Sequence, residues 1–218
     1  MVRRFELLVF DWDGTLYDST GNIVWALRAA CRDLGVPEPS EAESRYVIGL
    51  ELSQALRHIV PGISGERLPS LVAAYRRRYL EADRELRLFE GIAELVEALS
   101  ASGHRLAVAT GKSRAGLSRA LADSGLEPYF AASRCADECF SKPHPQMLEQ
   151  LMDEFAVSRG QTLMIGDTTH DLQMAGNAGV AGLAVTYGAH TREALSRLDP
   201  LACVEDVEQL ALWLKRNA

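Results

Sequence analysis

Cysteine is scarce and badly spaced for bonding. Cys31, Cys135, Cys139 and Cys203 form no Cys-x-x-Cys pair and have no histidine in register. This argues against a zinc site or a disulfide framework, so the four read as buried thiols or bystanders. Long apolar runs are missing too: nothing approaches the roughly 20 residues that cross a bilayer. Met1-Val2-Arg3-Arg4 leads straight into the first apolar segment, so a signal peptide is not expected and a cytoplasmic location is. Basic charge is in deficit, with 23 Lys and Arg against 30 Asp and Glu and a net charge of −7. The average field therefore repels nucleic acid and anionic membrane, and neither is an expected partner. The one arginine run, Tyr75-Arg76-Arg77-Arg78-Tyr79, reads as a helix whose tyrosines pack and whose arginines form a solvated face. No internal repeat or low-complexity tract is visible.

The chain has 218 residues, of which 47% are hydrophobic. That is enough for one well-filled core, or for one domain carrying a smaller insertion. The stretch that organises the rest is Leu7-Leu8-Val9-Phe10-Asp11-Trp12-Asp13-Gly14-Thr15. Its apolar run is short and ends in two acids and a glycine, which predicts a buried strand ending in a chemically loaded turn. Asp11 and Asp13 can reach one small volume beyond the strand tip once the chain curls at Gly14. A hard cation such as Mg²⁺ takes oxygen ligands of this kind. An Asp-Gly turn in a surface hairpin would carry the same residues, and the remainder of the chain has to decide.

Helical spacing predicts helices over about 20–34, capped by Ser19 or Thr20 and stopped at Gly35, then 41–47, 52–59 and 66–82. No strand is expected between Asp18 and Leu88, so this block reads as an inserted helical domain. Alternation resumes afterwards. Helices are expected near 91–102, 113–124, 146–155, after Asp167 to about 177, and 207–214. Strands are expected near 106–109, 129–133, 161–165, 183–186 and 201–204. Three strand ends then carry polar residues: Asp11 and Asp13, Thr110, and Asp167. In a parallel sheet such ends share one edge, where open α/β sheets bind ligands. Lys142, in Ser141-Lys142-Pro143-His144-Pro145, adds a positive charge, and Thr110-Gly111 opens a helix start that suits an anion. Three acids, a lysine and an anion-friendly turn describe a site for a phosphate held against Mg²⁺.

Asp11-Trp12-Asp13-Gly14-Thr15, Thr110-Gly111, Lys142-Pro143 and Gly166-Asp167 with Asp171 resemble, in order, the four motifs of the haloacid dehalogenase-like superfamily. The helical block falls where the phosphoglycolate phosphatase subfamily carries its four-helix cap. The resemblance implies a Rossmann-like α/β core with helices on both faces of a parallel sheet (residues 1–15 and 89–218) and an all-helical cap domain (residues 16–88). It also implies Mg²⁺ and an aspartyl-phosphate intermediate. On this likeness Asp11 is the nucleophile, and Asp13 is the acid/base whose backbone carbonyl joins the metal shell. Thr110, Gly111 and Lys142 hold the phosphate. Asp167 is a metal ligand with Asp171 beside it, as ligand or support. The implied substrate is a small phosphorylated metabolite, with 2-phosphoglycolate the best single choice and a monomer or homodimer as the assembly.

Asp13 disfavours the dehalogenases, which lack the second acid. Ile23 and Leu52 stand where sugar phosphomutases carry a cap histidine and a cap arginine. Mutase, pyrophosphatase or degenerate binding-module activity remain the alternatives. Gly49, between two cap helices, is the expected substrate-facing loop or else a simple helix stop. Trp12 is expected to cover the metal loop, His144 to shape the lysine loop, and His170 to be a surface hydrogen-bonding group.

Overall fold

The computed structural model describes residues 4–82 and 87–218; Met1 to Arg3 and residues 83–86, which include part of the boundary expected between helical block and core, lie outside the described residues. Six parallel strands form one sheet in the order β3-β2-β1-β4-β5-β6. They are β1 Leu7–Phe10, β2 Arg105–Thr110, β3 Ala132–Cys135, β4 Thr162–Gly166, β5 Ala181–Val185 and β6 Cys203–Val204. The central strand β1 is buried along its whole length, as a strand covered on both faces must be. Its alternate residues divide the core. Leu8 and Phe10 pack with Val108 and Ile165 against one helix layer, while Leu7 and Val9 pack with Ala107 and Met164 against the other.

Register decides what meets at the edge. Phe10 lies opposite both Val108 and Ile165, so Asp11, Thr110 and Asp167 emerge at nearly the same height. The chain runs outward from β1 through β2 to β3 and, in the other direction, from β4 through β5 to β6. Asp11 and Asp167 therefore flank the point where strand order reverses, the crevice in which such sheets bind ligands.

The helices are α1 Thr20–Asp33, α2 Glu41–Tyr46, α3 Leu52–Ile59, α4 Leu68–Ala82, α5 Ile92–Ala101, α6 Arg114–Ser124, α7 Gln146–Phe155, α8 Thr169–Ala178, α9 Arg192–Ser196 and α10 Val207–Asn217. The first four pack on one another around Ile23, Leu27, Val47, Leu56 and Leu71. This is a hydrophobic cluster separate from those against the sheet. Arg77 and Arg78 reach Asp33 at 3.0 and 2.8 Å, which ties α4 to the end of α1; exposed pairs of this kind stabilise little. Among the described residues no helix is long and apolar enough to cross a membrane.

Three local expectations need correcting. β3 begins at Ala132 rather than near Tyr129, because Glu127–Tyr129 form a 3₁₀ turn with Pro128 inside it. The five-residue α9 was not expected; it is too short to display a helical period, although Thr191 caps it by accepting from the Ala194 N–H. Ser19 precedes α1 without a side-chain cap bond, since its hydroxyl is used elsewhere.

Candidate active site

Asp11 follows β1 and is 1% exposed. Its Oδ1 accepts from Lys142 Nζ at 2.8 Å, while its Oδ2 is buried without a partner. Lys142 reaches the edge from the β3–α7 loop with its side chain fully enclosed, and it donates also to Asp171 Oδ1 at 2.6 Å. Asp171 is fixed from its other oxygen. Thr168 caps α8, and Asp171 Oδ2 accepts from the Thr168 N–H at 3.0 Å and its hydroxyl at 2.6 Å, completing a capping box. Asp167, at the tip of β4, accepts from the Thr15 hydroxyl at 2.8 Å and the Ala189 N–H at 2.7 Å. Asp11, Asp167 and Asp171 each place an oxygen within 4.8 Å of the others.

Such closeness depends on Gly14. Its φ is +83°, a conformation that L side chains rarely adopt, and a Cβ there would lie 2.2 Å from Asp167 Oδ2.

The electrostatics of this cluster are unfavourable as it stands, since three buried carboxylates face one ammonium. Burial pushes the Asp11 carboxyl up to about 7 against the pull of Lys142, with Asp171 adding to the rise. Asp167 is raised well above the carboxylate range by burial and then by Asp11 and Asp171. Burial works against the Lys142 ammonium, but Asp11 and Asp171 more than offset it and keep the group charged. A divalent cation would relieve the excess negative charge. The all-oxygen donor set and the orphaned Asp11 Oδ2 fit one, with Asp11 and Asp167 as its carboxylates.

Asp13 points away from this group. Its Oδ1 accepts from the Ser19 hydroxyl at 2.6 Å and meets Lys112 Nζ at 3.0 Å. The carboxylate therefore stands outside the three-acid cluster. Sequence reading passed over Lys112, although it lies two residues beyond Thr110 in the same turn. Burial disfavours its charge, while Asp13 and then Tyr79 hold it above the ordinary lysine range. Tyr79, read as a packing residue, also accepts from Lys112 at 3.0 Å. Thr110 is buried, and its hydroxyl accepts from the Lys112 N–H at 3.1 Å.

The helical segment closes over this edge through Gly49. That residue is in the left-handed region (φ +91°), and a Cβ on it would lie 3.3 Å from Thr168 Oγ1. A Cβ on Gly111 would lie 2.6 Å from the Gly49 carbonyl oxygen and 2.7 Å from that of Leu50. His170 is not the expected surface group. It is buried, and its Nε2–H donates to the Tyr46 carbonyl at 2.7 Å, as does that of His190 at 3.1 Å. The Tyr46 ring stacks on His190 and meets His170 edge-on, so α2 is latched to the core. Trp12 is wholly buried with its ring 5.9 Å from Tyr17.

Because the Gly111 contact is backbone against backbone, Gly111→Ala has to push the helical segment away. A displacement near 1 Å can cost on the order of 10²-fold in rate. We expect kcat/KM to fall by about that factor while circular dichroism stays native; an unchanged kcat/KM would mean that this closure is irrelevant to turnover.

The sequence matches the family model for haloacid dehalogenase-like hydrolases over residues 8–185. The chain belongs to that family. It is 37% identical to Probable phosphatase IndB of Dickeya dadantii (strain 3937), with 94% of this chain and 91% of the relative covered. A phosphoglycolate phosphatase of Vibrio vulnificus (strain YJ016) is 31% identical, with 95% of each covered. A 5'-nucleotidase of Pseudomonas aeruginosa is 32% identical over 98% of this chain and 97% of the relative.

Proposed function

We propose that this hydrolase is a Mg²⁺-dependent phosphatase that cleaves a small phosphomonoester through a phosphorylated Asp11, with the four-helix segment serving as its cap. The observation that carries the reading is the orphaned Asp11 Oδ2, buried beside Asp167 and steadied from the other oxygen by Lys142. In this reading a carboxylate oxygen of Asp11 attacks phosphorus, and the phosphorus–oxygen bond to the alcohol breaks. Asp13, held by Ser19 and Lys112, gives its proton to the departing alkoxide. Asp13 then takes a proton from a water, whose oxygen attacks phosphorus and releases phosphate and Asp11. Thr110, Gly111 and Lys142 hold the phosphoryl oxygens; Asp171 keeps Lys142 in place. Bound Mg²⁺ would lie among Asp11, Asp167 and the Asp13 backbone carbonyl and supply charge neutralisation for phosphoryl transfer.

The relatives' names agree on removal of phosphate and differ on the alcohol, a two-carbon acid in one and a nucleoside in another. 2-Phosphoglycolate, the expectation from sequence, is the ester of a two-carbon hydroxy acid. Purified protein should turn over p-nitrophenyl phosphate with Mg²⁺ and stop with EDTA. Metal-independent turnover, or none at any pH from mildly acidic to mildly alkaline, would contradict the reading.

Metal binding has a second signature. Asp11 and Asp167 titrate higher in the folded protein than in the unfolded chain. For such acids the folded state binds more protons, so metal-free stability is full below the unfolded value near 4 and is lost as pH rises towards about 7. Mg²⁺ should therefore raise Tm more at pH near 7.5 than near 5, with roughly 2.7 kcal/mol available at a hundredfold excess over Kd. Asp167→Asn, compared at each pH, should flatten the difference and stabilise the metal-free protein. A Mg²⁺ shift independent of pH would contradict these acids as the binding group.

A further inference from the structure

The alcohol has its own compartment. A cavity of about 530 Å³ opens between the helical segment and the core, starting at Asp13, Gly111 and Lys112. Volumes of about 300–1,000 Å³ are those that enclose drug-sized ligands. The group proposed to protonate the leaving alkoxide therefore lines a space that a two-carbon alcohol would leave largely empty.

The cavity wall is mixed: Ile48, Leu52 and Tyr75 supply apolar and aromatic surface, and Glu51, Asp123 and Asp137 line it as well. Among the described lining residues three are cationic: Arg76, Lys112 and Arg119. The two arginines are on the exposed rim. Lys112 is inside, but its charge is matched by Asp13 at 3.0 Å. The carboxylate of 2-phosphoglycolate, one methylene from the ester oxygen, would enter a lining in which Glu51, Asp123 and Asp137 equal Arg76, Lys112 and Arg119 in number, so no net cationic charge receives it. Like charges in a partly buried site repel, and an unpaired buried carboxylate is costly. An uncharged ring meets no such penalty and gains from contact with Leu52 and Tyr75.

We infer that the preferred substrate is the phosphate ester of an uncharged, ring-bearing alcohol of about nucleoside size, bound with its ring against Leu52 and Tyr75. The inference rests on the phosphatase reading above and narrows it. Three esters separate the two: uridine 5'-monophosphate, 2-phosphoglycolate and p-nitrophenyl phosphate, each assayed with Mg²⁺. The expected kcat/KM for the nucleotide exceeds that for 2-phosphoglycolate by at least about tenfold, the modest end of what a pocket can discriminate. Leu52→Arg, which adds a cation to the wall where the ring is placed, should shift the ratio towards 2-phosphoglycolate by a similar factor. A wild-type preference for 2-phosphoglycolate with p-nitrophenyl phosphate still cleaved overturns this inference alone. No cleavage of any ester overturns the phosphatase reading and this inference together. The wild-type ratio decides the size and charge of the alcohol even if Leu52→Arg fails to fold; a folded Leu52→Arg with an unchanged ratio overturns the placement of the ring.

Discussion

Asp11→Asn is expected to lose kcat by about 10⁴ to 10⁶, the scale on which covalent catalysts fail when the attacking group is removed. An amide of the same volume keeps the hydrogen bonding of the pocket but offers no anionic oxygen to phosphorus. The fold should not suffer. Burial and neighbouring acids already push Asp11 up to about 7, so taking away its charge removes repulsion from Asp167 and Asp171. Tm without Mg²⁺ should equal or exceed that of the wild type near pH 7.5, while turnover disappears. A large drop in Tm would mean that the Lys142 pair outweighs the repulsion and that Asp11 is first a structural residue.

Lys142→Met should fail in both respects. Its ammonium is enclosed and bonded to Asp11 and Asp171 at 2.8 and 2.6 Å. Removing one partner from a buried ion pair typically costs about 3–5 kcal/mol, because the carboxylates left behind stay dry and uncompensated. In a chain of this size that corresponds to a fall in Tm on the order of 10 °C. Activity should vanish without rescue by additional Mg²⁺, since a metal ion cannot donate the hydrogen bonds that Lys142 gives to Asp11 and Asp171. The double variant Asp11→Asn with Lys142→Met separates the two losses. Stability should return in part and turnover not at all, which is the non-additivity expected of residues in direct contact. Independent, additive effects on Tm would contradict a shared network.

The contrast between these variants reflects what was and was not legible in the chain. β1, β2 and β4 announce themselves as short apolar runs ending in Asp or Thr, because a buried parallel strand has no polar face to dilute the signal. Their order and their common edge follow once the sheet is parallel, and that edge is where Asp11, Thr110 and Asp167 emerge. Side-chain direction was not legible. Nothing in a one-dimensional pattern says that Ser19 abandons the α1 cap to donate to Asp13, or that Asp171 divides its oxygens between the α8 cap and Lys142. The helical segment hid most. Tyr79 obeys the packing period of α4 and still reaches Lys112, and the backbone carbonyl of Tyr46, which receives two buried histidines, carries no sequence signature at all.

The phosphorylated aspartate is the centre of the account and can be trapped. Asp13→Asn slows release of the intermediate by removing the group that activates water. Mixed with Mg²⁺ and p-nitrophenyl phosphate, whose good leaving group needs little help, and quenched in acid within the first turnover, this variant should gain one phosphoryl group per chain by intact mass. Borohydride reduction of the acyl phosphate followed by peptide mapping should convert residue 11 to homoserine. Prompt release of p-nitrophenol with no covalent adduct, or an adduct mapped to any residue other than Asp11, would contradict the mechanism.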